Sequence, residues 1–277
     1  MSEITASAVK ELRDRTGVSM MACKQALVEA QGNLDAAIEI LRKMGKEVSM
    51  NRSDRDTDFG RMGIYASLDS KVGAMVELKC ESAPVAGHDE FIELANALAR
   101  QLATGPGASS AEELLQQPSP SRPGSTLGEQ KDDLFNRMRE VMNIGRMVRI
   151  NGACEGYTHN AKTVSGVLTE VTGGSTEAVK NICMHIAAMR PQALTTQDLD
   201  PQVVAKEREI LMAAARQEGK PDNILEKMVE GRLRGFYAQT VLLEQPYVKE
   251  AKFTVGQYAK EQGFEVKRFV LWELGVA

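Results

Sequence analysis

Between residues 61 and 189 the chain writes one pattern twice, and this repetition constrains its fold more than any other feature. Tyr65…Gly73-Ala-Met-Val-Glu-Leu can be laid beside Tyr157…Gly166-Val-Leu-Thr-Glu-Val. Each copy reads as strand, turn, strand, helix. In the first, Ile64, Ala66 and Leu68 alternate and Asp69-Ser70-Lys71 turns the chain. Ala74, Val76, Leu78 and Cys80 then alternate against a polar face of Glu77, Lys79 and Glu81. Phe91, Leu94, Ala95, Leu98 and Leu102 line one side of the helix that follows. In the second copy a helix over 127–146 leads to a strand around 147–157. A second strand follows at 165–171, with a helix over 176–189 behind it. The expectation is an internally duplicated α+β unit.

The flanking segments have other rhythms. Residues 1–46 read as three short helices. Thr5, Ser19 and Asn33 stand at cap positions, Gly17, Gly32 and Gly45 act as stops, and Val9, Leu12, Cys23, Ala26, Leu27, Ala37, Ile38 and Leu41 point inward. Three helices this short make a small core of the ubiquitin-associated type. Residues 47–60 are polar and read as a linker. The first core subdomain then spans 61–126 and includes a Gly-, Pro- and Ser-rich loop over 104–126 with a single helical turn. The second spans 127–277 and contains an inserted antiparallel helical hairpin over 201–242. Asp200-Pro201 starts the hairpin, a stop near Gly219 and a restart at Lys220-Pro221-Asp222 divide it, and Val204, Ile210, Leu225, Val229 and Phe236 lie on its apolar stripes. A short helix and a last strand close the chain, with Val266, Val270, Trp272 and Leu274 expected on one face. The fold class is α+β.

Composition narrows the functions. Net charge is −4 and the isoelectric point about 5.6, which argues against nonspecific nucleic-acid binding. There is no apolar run of the roughly 18 residues a membrane span needs, and the N-terminus has no signal-like core, so a cytoplasmic protein is expected. Cys23, Cys80, Cys154 and Cys183 are scattered through apolar patterns and read as buried thiols. No HExxH, GxSxG or phosphate-loop motif occurs, and the 3 histidines form no cluster. Asp56 and Asp58 lack the further carboxylate a calcium loop needs. Neither a metal nor a cofactor is expected, and binding is favoured over catalysis.

Several stretches carry a specific resemblance: "VKELRDRTGVSMMACKQAL" in the head, then "YTHN", "MHIAAM", "GKPDNILEKMVEGRL" and "VLLEQPYVKE". Through them the chain resembles the elongation factor Ts family, nucleotide exchange factors for the GTPase elongation factor Tu. The resemblance covers nearly the whole chain and implies the architecture above, with elongation factor Tu as partner. It also implies a mechanism: the factor grips the GTPase and pushes a loop beside its magnesium and phosphate site, and no covalent chemistry is involved. Some family members carry a further C-terminal helical module, which this sequence is expected to lack.

The pushing loop departs from the family pattern Cys-Glu-Thr-Asp-Phe-Val-Ala-Arg-Asn. Here Cys80-Glu81-Ser82-Ala83-Pro84-Val85-Ala86-Gly87-His88 stands in register, with Ala83 and Pro84 in place of the family's acid and aromatic ring. Pro84 is expected to stiffen the loop and hold Ala83 extended. A Thr57-Asp58-Phe59 tripeptide does occur ahead of the first strand, and it reads as a coincidence in the wrong place, useless as a wedge if the strand order sends it to the other end of the unit. The resemblance further implies partner contacts at Arg13, Met20 and Met21 in the head, at Ser82, Ala83, Pro84 and Val85 in the loop, and at His159 and His185, each of which is equally readable as a packed core histidine. Two alternatives stay open: a protein that holds the GTPase with reduced exchange, and a helical-head adaptor in another pathway. The hairpin is read as a partner or self-association surface.

Overall fold

In the computed structural model, which describes residues 4–50, 55–160, 164–218 and 222–275, the chain opens with three helices, α1 (Ala6–Thr16), α2 (Met20–Glu29) and α3 (Leu34–Met50). Local capping explains where they start. The side-chain oxygens of Thr5, Ser19 and Asn33 accept from the backbone N–H of Ala8, Ala22 and Ala36. Leu12, Cys23, Ala26, Leu27 and Ala37 close a small core between the helices. The expected stop at Gly45 is absent. The segment read as a linker therefore begins as helix and ends as strand, while its residues 51–54 lie outside the described ones. Gly45 has a packing reason instead: a Cβ there would overlap the Asn136 carboxamide, so glycine lets α3 cross the core closely.

The first sheet takes β1 (Phe59–Ser67) and β2 (Val72–Cys80). After α4 (Ala83–Ala86), α5 (Asp89–Thr104), α6 (Ala111–Leu115) and α7 (Leu127–Met138) it adds β3 (Met142–Ile150). The second takes β4 (Cys154–Asn160) and β5 (Val164–Gly173). After α8 (Thr176–Met189), α9 (Pro201–Gln217), α10 (Asp222–Thr240) and α11 (Val255–Glu261) it adds β6 (Phe264–Glu273). Both sheets are antiparallel, in the orders β1-β2-β3 and β4-β5-β6. Two sequence expectations are corrected here. The helix read over 127–146 stops at Met138, and the strand read around 147–157 is two strands in different sheets. Residues 127–150, assigned from the sequence to the second unit, pack with the first: Leu127, Leu134 and Met142 share a core with Leu78, Phe91 and Leu98.

The sheets stack face to face between helical layers. Val76 and Leu78 meet Leu94 and Leu98 of α5, and Val167 and Val171 meet Val179 and Ile182 of α8. Met62, Met75, Ile150, Cys154 and Leu168 fill the space between the sheets. Gly166 sits on that inner face, where a Cβ would overlap Met62 and Met75. Glu77, on the polar face by alternation, is only 5% exposed. Arg146 holds it, with Nη2 2.8 Å from Oε1 and Nε 3.1 Å from Oε2, and lies 5.2 Å from the centroid of the Trp272 ring. Arg268 and Glu170 form the corresponding pair in the second sheet, Nε to Oε2 2.8 Å. Each pair stands at a register shift. The shift in the second sheet also turns β6 over. Val266 joins the helix-side core while Val270, Trp272 and Leu274 face the first sheet, so the four do not share a face as alternation suggested.

The second halves of the two units also correspond. Leu127 N donates to Gln117 O and Val255 N to Gln245 O, both at 2.9 Å. Pro118 bridges Thr126 as Pro246 bridges Thr254, and both threonines open capping boxes. Between α8 and this block the second unit carries α9 and α10. Asp200 caps α9 through Gln202 N at 2.8 Å. Ala215, Leu225, Val229 and Leu233 are buried, and Val204 and Phe236 pack at the base against Ala193, Leu199 and Val241. The break expected at Gly219, Lys220 and Pro221 lies outside the described residues. Val203, Ile210 and Ile224 remain exposed. No described helix is long and apolar enough to cross a membrane.

Candidate protein-binding site

The end of the first unit is built around the exit of β2. Cys80 is buried, its thiol pushed up to about 11 by burial, and its Sγ lies 3.2 Å from the Ser82 carbonyl oxygen as a donor. Ser82 Oγ donates to Glu140 Oε1 at 2.6 Å. Glu81 accepts from Val141 N at 2.7 Å and from Arg55 Nη1 at 2.8 Å. These bonds fix the base of the turn that follows. Ala83 is not extended as expected: Ser82 takes the extended backbone, and Ala83 begins the single turn α4. Ala86 N closes that turn on Ser82 O at 3.1 Å, and Pro84 occupies a first-turn position where its missing N–H costs nothing. Ala83 and Pro84 are exposed, while Val85 is 8% exposed and anchors the turn in the core.

The Thr57-Asp58-Phe59 stretch is not at the other end of the unit. Phe59 pairs with Cys80 in the antiparallel register, so the entry of β1 and the exit of β2 stand side by side. Arg61 stitches the two together by donating from Nε to Ala86 O at 2.6 Å. Thr57 is buried and Asp58 exposed. Phe59 is 44% exposed although it opens a strand. Asp58, Phe59, Ala83 and Ala86 line one wall of a cleft of about 570 Å³ whose other wall comes from the second unit through Asn160, Val164 and Leu274. A signal for this juxtaposition was present in the sequence. A hairpin turning at Asp69-Ser70-Lys71 pairs residues counted outward from the turn; that count sets Phe59 opposite Glu81, one residue from its observed partner Cys80, because the loop between Ser67 and Val72 also takes in Leu68. The far wall had no such signal, since it depends on how the sheets stack.

The two histidines divide. His159 is exposed near the end of β4, beside Asn160 of the cleft wall, with Nδ1 3.2 Å from the Tyr157 hydroxyl. His185 is wholly buried on α8. Its Nδ1 accepts from Val248 N at 3.2 Å, so Nε2 carries the proton donated to Gln245 Oε1 at 2.9 Å. Burial lowers its pKa below the ordinary 6.5, and the bond to Gln245 offsets part of that shift. His185 therefore presents no surface in this conformation and holds the turn around Gln245–Val248 in place.

In the head, Met20 and Met21 both lie on the outer side of α2, 40% and 76% exposed, and Arg13 is exposed on α1 with no ion pair among the described residues. Thioether chains at a surface adapt their shape to a partner. Cys154 and Cys183 are pushed up to about 12, mainly by burial, and neither is poised as a nucleophile. Among the described residues no group of three or more His, Cys, Asp or Glu is placed to hold a metal ion. The site's resources are shape, exposed apolar groups and a few charges, which suit a protein surface.

Comparison with known proteins agrees with that chemistry. The family model described as elongation factor TS matches residues 84–276. The elongation factor Ts of Methylococcus capsulatus is 40% identical over 275 residues, covering 98% of this chain and 92% of the relative. That of Clostridium botulinum (strain Eklund 17B) is 40% identical over 286 residues, with 98% and 93% covered. That of Hyphomonas neptunium is 40% identical over 287 residues, with 99% and 93% covered.

Proposed function

The chain belongs to the elongation factor Ts family, and on that premise we propose that it grips elongation factor Tu and speeds the release of GDP from it. The observation that carries the reading is a family likeness running from the helical head to β6, over 98% of the chain. Exchange of this kind needs no covalent step. A partner that binds the nucleotide-free GTPase more tightly than the GDP form must loosen GDP by the same factor. The head is a ubiquitin-associated-like module that docks through Arg13, Met20 and Met21. The core is two related subdomains, which the matched Glu77–Arg146 and Glu170–Arg268 pairs support. Ala83 and Pro84 touch the GTPase, Ser82 and Val85 hold them in place, and His159 contributes from the second subdomain. His185 acts through the turn it supports. The hairpin, with Ile210 and Ile224 exposed, offers a partner or self-association face, which sedimentation of the chain alone would settle. A cytoplasmic location goes with a translation factor.

A second reading is favoured by one observation: the exposed turn presents Ala83 and Pro84, neither an acid nor an aromatic ring. On that reading the protein holds elongation factor Tu with reduced exchange. Stopped-flow release of labelled GDP separates the two. Acceleration that saturates with added factor supports exchange; a complex that forms without acceleration leaves the holding reading.

A further inference from the structure

We propose that Asp58 and Phe59 are a second contact element for elongation factor Tu, forming one composite surface with the Ala83–Pro84 turn. This rests on the exchange reading and deepens it. Three observations carry it. Phe59 is a large apolar side chain left 44% exposed at the first residue of a strand. Asp58 beside it is exposed and makes no ion pair among the described residues, and its carboxylate suits a cationic or hydrogen-bonding group of a partner. Both border the cleft that also takes in Ala83 and Ala86, and the Arg61–Ala86 bond fixes that border to the turn. An aromatic ring at the centre of a protein interface commonly carries a large share of its energy, and a neighbouring charge sets orientation. The chemistry absent at Ala83 and Pro84 is thus supplied from the paired strand, at the same edge of the sheet.

The test measures two quantities with the full chain: the dissociation constant for nucleotide-free elongation factor Tu, and labelled-GDP release at saturating factor. Phe59→Ala should weaken binding or slow release by about tenfold or more, and Asp58→Asn by about threefold. Phe59→Leu, which keeps an apolar strand residue, should lie between wild type and Phe59→Ala. Circular dichroism and thermal midpoint check the fold. If Phe59→Ala proves unfolded, Asp58→Asn and Phe59→Leu decide, since one alters an exposed carboxylate and the other preserves bulk. Folded variants that match wild type in both readouts overturn the proposal. If wild type binds without accelerating release, the exchange reading falls, and the affinities of the variants still judge this one. Absence of any complex overturns both.

Discussion

Pro84 carries its effect through one helical turn. The turn has a few backbone bonds and a buried anchor in Val85, so the ring's fixed φ supplies much of its rigidity. Pro84→Gly should leave the far-ultraviolet spectrum intact and slow GDP release by about three- to tenfold, because glycine restores backbone freedom that binding must then remove. Release equal to wild type would show that the turn is held by its neighbours alone. His185 makes a different prediction. Burial disfavours its imidazolium, so the unfolded chain takes up a proton near pH 6.5 while the folded chain does so only at lower pH. The stability tied to the neutral ring is full above that value and is lost as pH falls below it. In the first unit Gln101 does the matching job, Nε2 to Gln117 Oε1 at 3.0 Å. His185→Gln should therefore stay folded and show a smaller drop in thermal midpoint between about pH 7.5 and about pH 5.5 than wild type. An equal drop in both proteins would assign the acid sensitivity to other groups. Adjacent residues at a helix start cannot both point inward, so exposure of at least one of Met20 and Met21 was readable from the sequence, and both are exposed. The setting of His185 was not readable, since its partners Gln245 and Val248 lie beyond an inserted hairpin.

At the scale of elements, starts were more legible than ends. A helix start is written in one capping side chain and the residues just after it, and Thr5, Ser19, Asn33 and Asp200 all do this locally. An end depends on what the helix would run into. Gly45 looked like a stop and is instead the point where α3 passes Asn136 of α7. Substituting alanine for glycine inside a helix ordinarily stabilises it by about 1 kcal/mol. At Gly45 the sign should reverse, with Gly45→Ala destabilising the chain by about 1–3 kcal/mol through overpacking. Gly231 in α10 has no atom within 4 Å of where its Cβ would stand, so Gly231→Ala should stabilise by about 0.5–1 kcal/mol. Urea unfolding of the two variants beside wild type reads both signs, and a stabilising Gly45→Ala would contradict the close crossing of the two helices.

For the molecule as a whole, the stacking of two sheets decides what burial means. Glu77–Arg146 and Glu170–Arg268 hold matching places, yet the first pair is covered by Trp272 and the second is half open to solvent. Arg146→Ala leaves a buried carboxylate without its partner and should cost about 3 kcal/mol. Arg268→Ala removes an exposed partner and should cost less than about 1 kcal/mol. Equal costs in chemical denaturation would show that the inner face is wetter than the packing implies. The sequence by itself determined the periodic parts: the α+β class, the three-helix head, the first hairpin with the helix behind it, β5 with α8 behind it, and the paired helices of the arm. Those follow from side-chain spacing and local caps, which act over a few residues. Only the tertiary structure decided which sheet β3 joins, which face of β6 Val266 takes, that Glu77 is buried, and that the second unit walls the cleft beside Phe59 and the Ala83–Pro84 turn. These depend on contacts between residues far apart in the chain. A single register shift or one covering sheet reverses inside and outside without changing the local pattern.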